Sequence, residues 1–216
     1  VVDLAGLGLA GITVTPTAVT IGAMTKHAAV AASADVQKAI PALAALAGGI
    51  GDEAVRHRGT IGGSLANNDP AACYPSAVLA LGATIRTNKR SIAADDYFQG
   101  MFTTALEQGE LITAVEFPIP QRAAYEKFKN PASRYAIVGV FVAKFANGAR
   151  VAVTGASQSG VFRHDGMEKA LSASFAPDAT AGVSTPTDNM KSDIHASAEY
   201  RAHLVGVITQ RAVAKA

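Results

Sequence analysis

The sequence predicts an α+β fold, and three observations carry that prediction. Short β-branched alternations recur, as at 17–23 and 111–118. An Asn147-Gly148 pair joins two long apolar runs, 135–145 and 149–155, as a tight hairpin turn would. Two alanine-rich stretches, 36–47 and 196–214, have the length and pattern of helices rather than strands. With 216 residues, 49% hydrophobic and 17% charged, the chain can bury a sizeable core and is too apolar to remain disordered.

In chain order, residues 17–23 read as a strand and 36–47 as a helix stopped by Gly48-Gly49. The run Arg56-His57-Arg58-Gly59-Thr60-Ile61-Gly62-Gly63-Ser64-Leu65-Ala66-Asn67-Asn68-Asp69-Pro70 then carries the strongest chemical signal. Gly62 and Gly63 lack a Cβ, so their amides could turn toward a bound oxygen, and Thr60 and Ser64 offer hydroxyls on either side. The stretch reads as a phosphate or pyrophosphate cradle. Asp69 suits an N-cap and Pro70 the first helical position, ahead of an apolar run at 77–81 that closes at Gly82. A strand at 83–87, a turn at Asn88-Lys89, a short strand at 90–93 and a strand at 111–118 follow. Pro118-Ile119-Pro120 looks like a connector, dividing a first domain, 1–120, from a second, 121–216. In the second, strands at 123–129, 135–145 and 149–155 predict a three-stranded antiparallel sheet. Helices at 167–174 and 196–214 would pack on it, the latter through Leu204, Val207, Ile208 and Ala212.

Composition and motifs exclude several classes of function. A net charge of +2 with scattered lysine and arginine gives no footprint for nucleic acid or an anionic membrane. No apolar run approaches 18 residues, so neither membrane insertion nor a signal-peptide core is indicated, and a cytoplasmic location is expected. Cys73 is the single cysteine, which rules out an internal disulfide and an iron–sulfur cluster or thiolate zinc site built from this chain alone. Gly6-Leu7-Gly8-Leu9-Ala10-Gly11 fits a dinucleotide pattern literally, but the β-branched Ile12-Thr13-Val14-Thr15 and then Pro16 follow where a helix must open. No glycine loop ends in Lys-Ser or Lys-Thr, the five histidines lack ligand spacing, and no serine or cysteine stands in a nucleophile motif. Redox chemistry here would need an organic cofactor.

The stretch from Arg58 to Ala71 closely resembles the second FAD-binding motif of the flavoprotein (medium) subunits of molybdenum hydroxylases, a family that includes carbon monoxide dehydrogenases, xanthine dehydrogenases and bacterial aldehyde oxidases. Ile21-Gly22-Ala23-Met24-Thr25-Lys26-His27, Glu110-Leu111-Ile112-Thr113-Ala114-Val115, Phe128-Lys129-Asn130-Pro131-Ala132-Ser133-Arg134-Tyr135-Ala136 and Ser197-Ala198-Glu199-Tyr200-Arg201 resemble further family motifs, in family order. The resemblance implies a vanillyl-alcohol-oxidase-type FAD-binding domain followed by the three-stranded sheet with helices. It also implies a further N-terminal glycine-rich FAD loop ahead of Val1.

It assigns Gly59, Thr60, Ile61, Gly62, Gly63 and Ser64 to the pyrophosphate loop, Gly51 and Val55 to the flavin or ribityl side, and a further contact to Asn67. Leu111 and Ile112 would support the adenine end, while Lys129 and Tyr135 would lie near the flavin ring, where a cation stabilises the anionic reduced form and an aromatic face shields it. Cys73 stands where many family members carry an aspartate that hydrogen-bonds the cofactor. The implied activity is electron transfer, most naturally in aldehyde or carbon monoxide oxidation. FAD on this chain would take electrons from [2Fe–2S] clusters on a small subunit, fed by a molybdenum cofactor on a large subunit, and pass them to an external acceptor, with no side chain here acting as acid or base. The alternative is a non-catalytic nucleotide- or phosphate-binding module.

Overall fold

The computed structural model describes residues 3–216, so the first half of the strand-like Val1-Val2-Asp3-Leu4 falls outside the described residues. The literal dinucleotide pattern forms a short turn of 3₁₀ helix at Ala5–Leu7 and leads into a hairpin, β1 (Ile12–Val14) and β2 (Ala18–Gly22), rather than a helix. Three short helices follow, α1 (His27–Ala32), α2 (Ala34–Ala39) and α3 (Pro41–Gly48). The single helix expected over 36–47 is thus divided. Pro41 has no amide hydrogen and pushes Ile40 out of the helical region, to φ −140° and ψ 75°, but is well suited to the first turn of α3.

Next come α4 (Glu53–Arg58), α5 (Ile61–Asn67) and α6 (Tyr74–Ala80). The helix expected to start at Pro70 begins four residues later. Asp69 Oδ1 accepts the Ala71 amide at 2.8 Å, and the Pro70 carbonyl accepts from Thr154 Oγ1 at 3.0 Å and the Gly155 amide at 2.8 Å. Residues 69–72 are therefore tied to the second sheet, and Pro75 occupies the first turn of α6 instead.

β3 (Thr84–Thr87), β4 (Ser91–Ala93), α7 (Ala94–Tyr97), a small β5–β6 hairpin (Phe98–Gly100, Thr103–Thr104) and β7 (Ile112–Pro118) complete the first half. The first sheet has the order β1-β2-β7-β3-β4, antiparallel throughout, with β7 inserted between strands that precede it in the chain. The chain then crosses to a second antiparallel sheet, β11-β10-β9-β8, built from β8 (Arg122–Lys129), β9 (Ala136–Phe145), β10 (Gly148–Thr154) and a two-residue β11 (Phe162–Arg163). Three of these are the expected strands; two residues are too few to leave an alternation signal.

Both faces of the second sheet are covered. Because successive side chains point to opposite faces, Val138, Val140 and Val142 of β9 join Val151 and Val153 in a core shared with α8 (Asp165–Ala173) and α9 (Ala198–Lys215). Phe141, Ala143 and Ala152 face the other way, into the core formed by α3, α6 and the first sheet. On α9 it is Val205, not Val207, that completes the buried stripe with Leu204, Ile208 and Ala212.

Candidate cofactor site

The glycine stretch that reads as an open loop is the first turn of α5. Thr60 caps it, its Oγ1 accepting the Gly63 amide at 3.1 Å, and Ile61 and Leu65, four apart, are both completely buried. Two helical glycines cost roughly 2 kcal/mol relative to alanine. Burial of two large aliphatic side chains contributes about 3–6 kcal/mol, so packing decides in favour of helix.

The expected cradle of free amides is corrected accordingly. Ile61 donates to Thr25 O at 3.2 Å, Gly62 to Ala23 O at 2.8 Å and Ser64 to Thr60 O at 3.0 Å. Gly62 is required by close packing, since a Cβ there would lie 2.6 Å from Ala23 Cβ and 2.8 Å from its carbonyl oxygen. Gly63 is exposed, and only Thr60 Oγ1 lies near the place a Cβ would take. One glycine serves the fold, and its neighbour leaves the surface open.

A cleft of about 620 Å³ opens beside this turn. Gly51 and Val55 line it, as do Gly59, Thr60, Gly63, Ser64 and Asn67, and Ala132 to Tyr135 of the β8–β9 turn. A smaller recess of about 160 Å³ adjoins it, lined by Gly62, Ala66, Leu106, Leu111 and Ile112; Thr60 and Gly63 line both hollows. Two of the expected site residues line neither. Ile61 points its side chain into the core, and Lys129 is exposed at the end of β8. The lysine in the cleft is Lys127, two residues earlier. A register shift between Phe128 and Lys129 separates the two lysines, and nothing in their spacing reveals it.

Other lining residues were not legible as site residues. His27, at the start of α1, is 5% exposed and packs against Tyr74, ring centroids 5.2 Å apart. Burial lowers its pKa to about 4, so it is neutral at pH 7. Gly59 has to be glycine beside it, because a Cβ there would lie 2.5 Å from His27 Nε2. The His27 Nδ1 atom and the Tyr74 and Tyr125 hydroxyls are buried without hydrogen-bond partners, and burial pushes both phenols well above their ordinary range. Arg58, Lys127 and Arg134 bring positive charge to the cleft against Asp52 and Asp69, a net surplus of one that suits an anionic ligand.

Fold and site define a class: an α+β protein whose glycine turn borders both a positively charged cleft and a smaller recess. Residues 1–120 match the family described as the FAD binding domain in molybdopterin dehydrogenase. The chain is 32% identical over 231 residues to the carbon monoxide dehydrogenase medium chain of Afipia carboxidovorans, covering 100% of this chain and 80% of that one. It is 34% identical over 209 residues to the glyceraldehyde dehydrogenase medium chain of Sulfolobus acidocaldarius, covering 90% and 74%. Among solved structures, reconstituted CO dehydrogenase from Oligotropha carboxidovorans superposes with a TM-score of 0.84 at 32% identity, over 96% of this chain and 78% of that one. Quinoline 2-oxidoreductase from Pseudomonas putida 86 gives 0.83 at 30%, with the same coverage. The chain belongs to the FAD-binding medium subunits of molybdenum hydroxylases, and is the flavoprotein component of a multi-subunit oxidoreductase.

Proposed function

We propose that FAD spans the two hollows, its flavin end in the larger and its adenine end against Leu111 and Ile112, with the pyrophosphate beside Thr60, Gly63 and Ser64. The observation that carries this reading is that Thr60 and Gly63 line both hollows, so that one connected ligand passing between them must cross that turn. When bound, FAD supplies a two-electron store that exchanges electrons one or two at a time. The chain's own residues hold and shield it. The Thr60 and Ser64 hydroxyls can donate to phosphate oxygens, Arg58 and Arg134 balance their charge, the Tyr135 ring can screen the flavin from water, and neutral His27 leaves the floor without a buried charge.

The substrate class we favour is an aldehyde, with carbon monoxide second, because relatives of this chain are the medium chains of glyceraldehyde and carbon monoxide dehydrogenases. Oxidation would take place at a molybdenum cofactor on a large partner subunit. Electrons would reach this chain from an iron–sulfur small subunit, since one cysteine cannot hold a cluster here. The change of sheet between β7 and β8, after residue 118, supports treating 1–120 and 121–216 as two domains. The cofactor reading is tested with Gly63→Val, which puts a branched side chain where Gly63 leaves open surface. The wild-type chain should show oxidised-flavin bands that bleach on reduction, and the variant should lose them on dialysis. A colourless wild-type protein, or a variant that keeps its flavin in full, overturns the reading.

A further inference from the structure

Lys127 reaches into the cleft from β8, and its ammonium group is already fully engaged. Nζ lies 2.8 Å from the Gly49 carbonyl oxygen, 2.9 Å from that of Arg134 and 3.5 Å from Cys73 Sγ. A lysine has three hydrogens to donate, and here each has a protein acceptor. The three acceptors belong to three different segments, each of which contributes residues to the cleft. Gly49 follows α3 and leads into the loop of Gly51 and Asp52, Arg134 immediately precedes Tyr135, and Cys73 immediately precedes α6.

The Arg134 wall is the one that needs an outside tie. Residues 131–135 are all exposed and contribute to neither core. The turn is rigid within itself: Asn130 Oδ1 accepts the Ala132 and Ser133 amides at 2.9 and 3.1 Å, the Asn130 amide donates to Tyr135 O at 2.8 Å, and Arg134 holds a left-handed φ of 62°. A rigid turn standing clear of the core moves as a unit unless something fixes it. Apart from a 3.4 Å approach of Asn130 Nδ2 to His195 Nδ1, the side-chain hydrogen bond that fixes it among the described residues is the one from Lys127.

We infer that Lys127 is a positioning residue that sets the width of the cofactor cleft, tying the Tyr135 turn to the Gly49–Asp52 loop and acting through those walls rather than as a ligand of the cofactor. This rests on the reading of the cleft as the flavin site. Lys127→Met keeps most of the side-chain volume and removes all three donors, leaving the two carbonyls without their shared partner.

The test uses the purified chain. In the FAD-free protein, trypsin should cut Lys127→Met between Arg134 and Tyr135 at least about tenfold faster than wild type, the scale of one lost charge-assisted hydrogen bond. FAD release, followed by flavin fluorescence, should speed up by a similar factor. Lys127→Cys should behave alike, and its alkylation with 2-bromoethylamine, which rebuilds an amine of nearly the original length, should bring both rates back toward wild type; wild type given the same reagent controls for Cys73. Unchanged cleavage and release in both variants overturn the inference. Loss of FAD with unchanged cleavage also overturns it, since Lys127 would then be a direct ligand. A wild-type chain that binds no FAD defeats the cofactor reading alone, because the trypsin assay reads the tie without FAD.

Discussion

The layer behind the second sheet and the walls of the cleft are built in contrasting ways. Behind the sheet, β9 runs ten residues with 136–143 buried, and α9 runs eighteen. Polar groups buried there are mostly partnered: the Arg201 guanidinium donates to Ile137 O at 2.6 Å, Gly155 O at 3.0 Å and both Asp193 oxygens at 2.8 Å, its Nε alone finding no acceptor, and Glu168 accepts the Val151 amide at 2.9 Å. Around the cleft the helices are six to eight residues long, and three of the four partnerless buried polar side-chain atoms among the described residues lie in His27, Tyr74 and Tyr125. Arg134, one of three non-glycine residues with positive φ among the described residues, lines it as well. The difference teaches where stability is produced and where it is used. A regular, mutually consistent scaffold holds a cleft whose parts would not adopt their conformations by local preference.

The contrast breaks first if the scaffold proves dispensable. Arg201→Ala removes the buried guanidinium shared by Asp193 and the carbonyls of Ile137 and Gly155, and should cost about 3–5 kcal/mol in equilibrium unfolding of the FAD-free chain. A loss below about 1 kcal/mol would place the stability elsewhere. Next is the glycine pair, where the two kinds of construction meet. Gly62→Ala forces a Cβ against the backbone of Ala23 and should cost about 1–3 kcal/mol. Gly63→Ala meets only Thr60 Oγ1 and gains helix propensity, so its stability should change by less than about 1 kcal/mol while FAD retention falls. Equal stability losses in the two variants would erase the distinction drawn between them.

The same contrast explains what the sequence disclosed. The strands at 112–118, 122–129, 136–145 and 148–154 and the helix at 198–215 were legible because alternation, an Asn-Gly turn and a long amphipathic stripe agree with the final packing. α5 was not, because two glycines signal a loop and only the burial of Ile61 and Leu65 makes them helical. Most residues grouped by the motif lie together in space. Gly51, Val55, Gly59, Thr60, Gly63, Ser64, Asn67 and Tyr135 come together in the cleft, and Leu111 with Ile112 in the recess beside it. Lys127 and His27 were missed for a common reason. A register shift in β8 separates Lys129 from Lys127, and His27 packs against Tyr74 from another helix; neither leaves a mark in local spacing.

The finest test of the contrast compares two buried histidines, one from each region. His164 caps α8, its Nδ1 accepting the Met167 amide at 3.3 Å while Nε2 lies 3.0 Å from Thr185 Oγ1. His27 has no partner for Nδ1. Burial lowers both pKa values, that of His27 to about 4 from the 6.5 of an ordinary histidine. Between those two values the unfolded chain binds a proton that folded His27 does not. The contribution of neutral His27 is therefore complete above pH 6.5 and is lost as the pH falls toward 4. His164 acts with the same sign. Glu110 is held at about 2, chiefly by its hydrogen bonds from Arg90, the Glu107 amide and Thr87. At Asp193 burial pushes upward, but hydrogen bonds from the His195 amide and Arg201 outweigh it and hold the carboxyl at about 2. These carboxylates lose their contributions only below pH 4.5 and 3.8, their ordinary values, so urea unfolding between pH 6.5 and 4.5 isolates the histidines. His27→Gln should flatten the fall in stability across that window by less than one proton's worth of slope, leaving a remainder that His164→Gln removes. If His27→Gln leaves the slope intact, water reaches the imidazole, and the floor of the cleft is not the dry surface that its burial indicates.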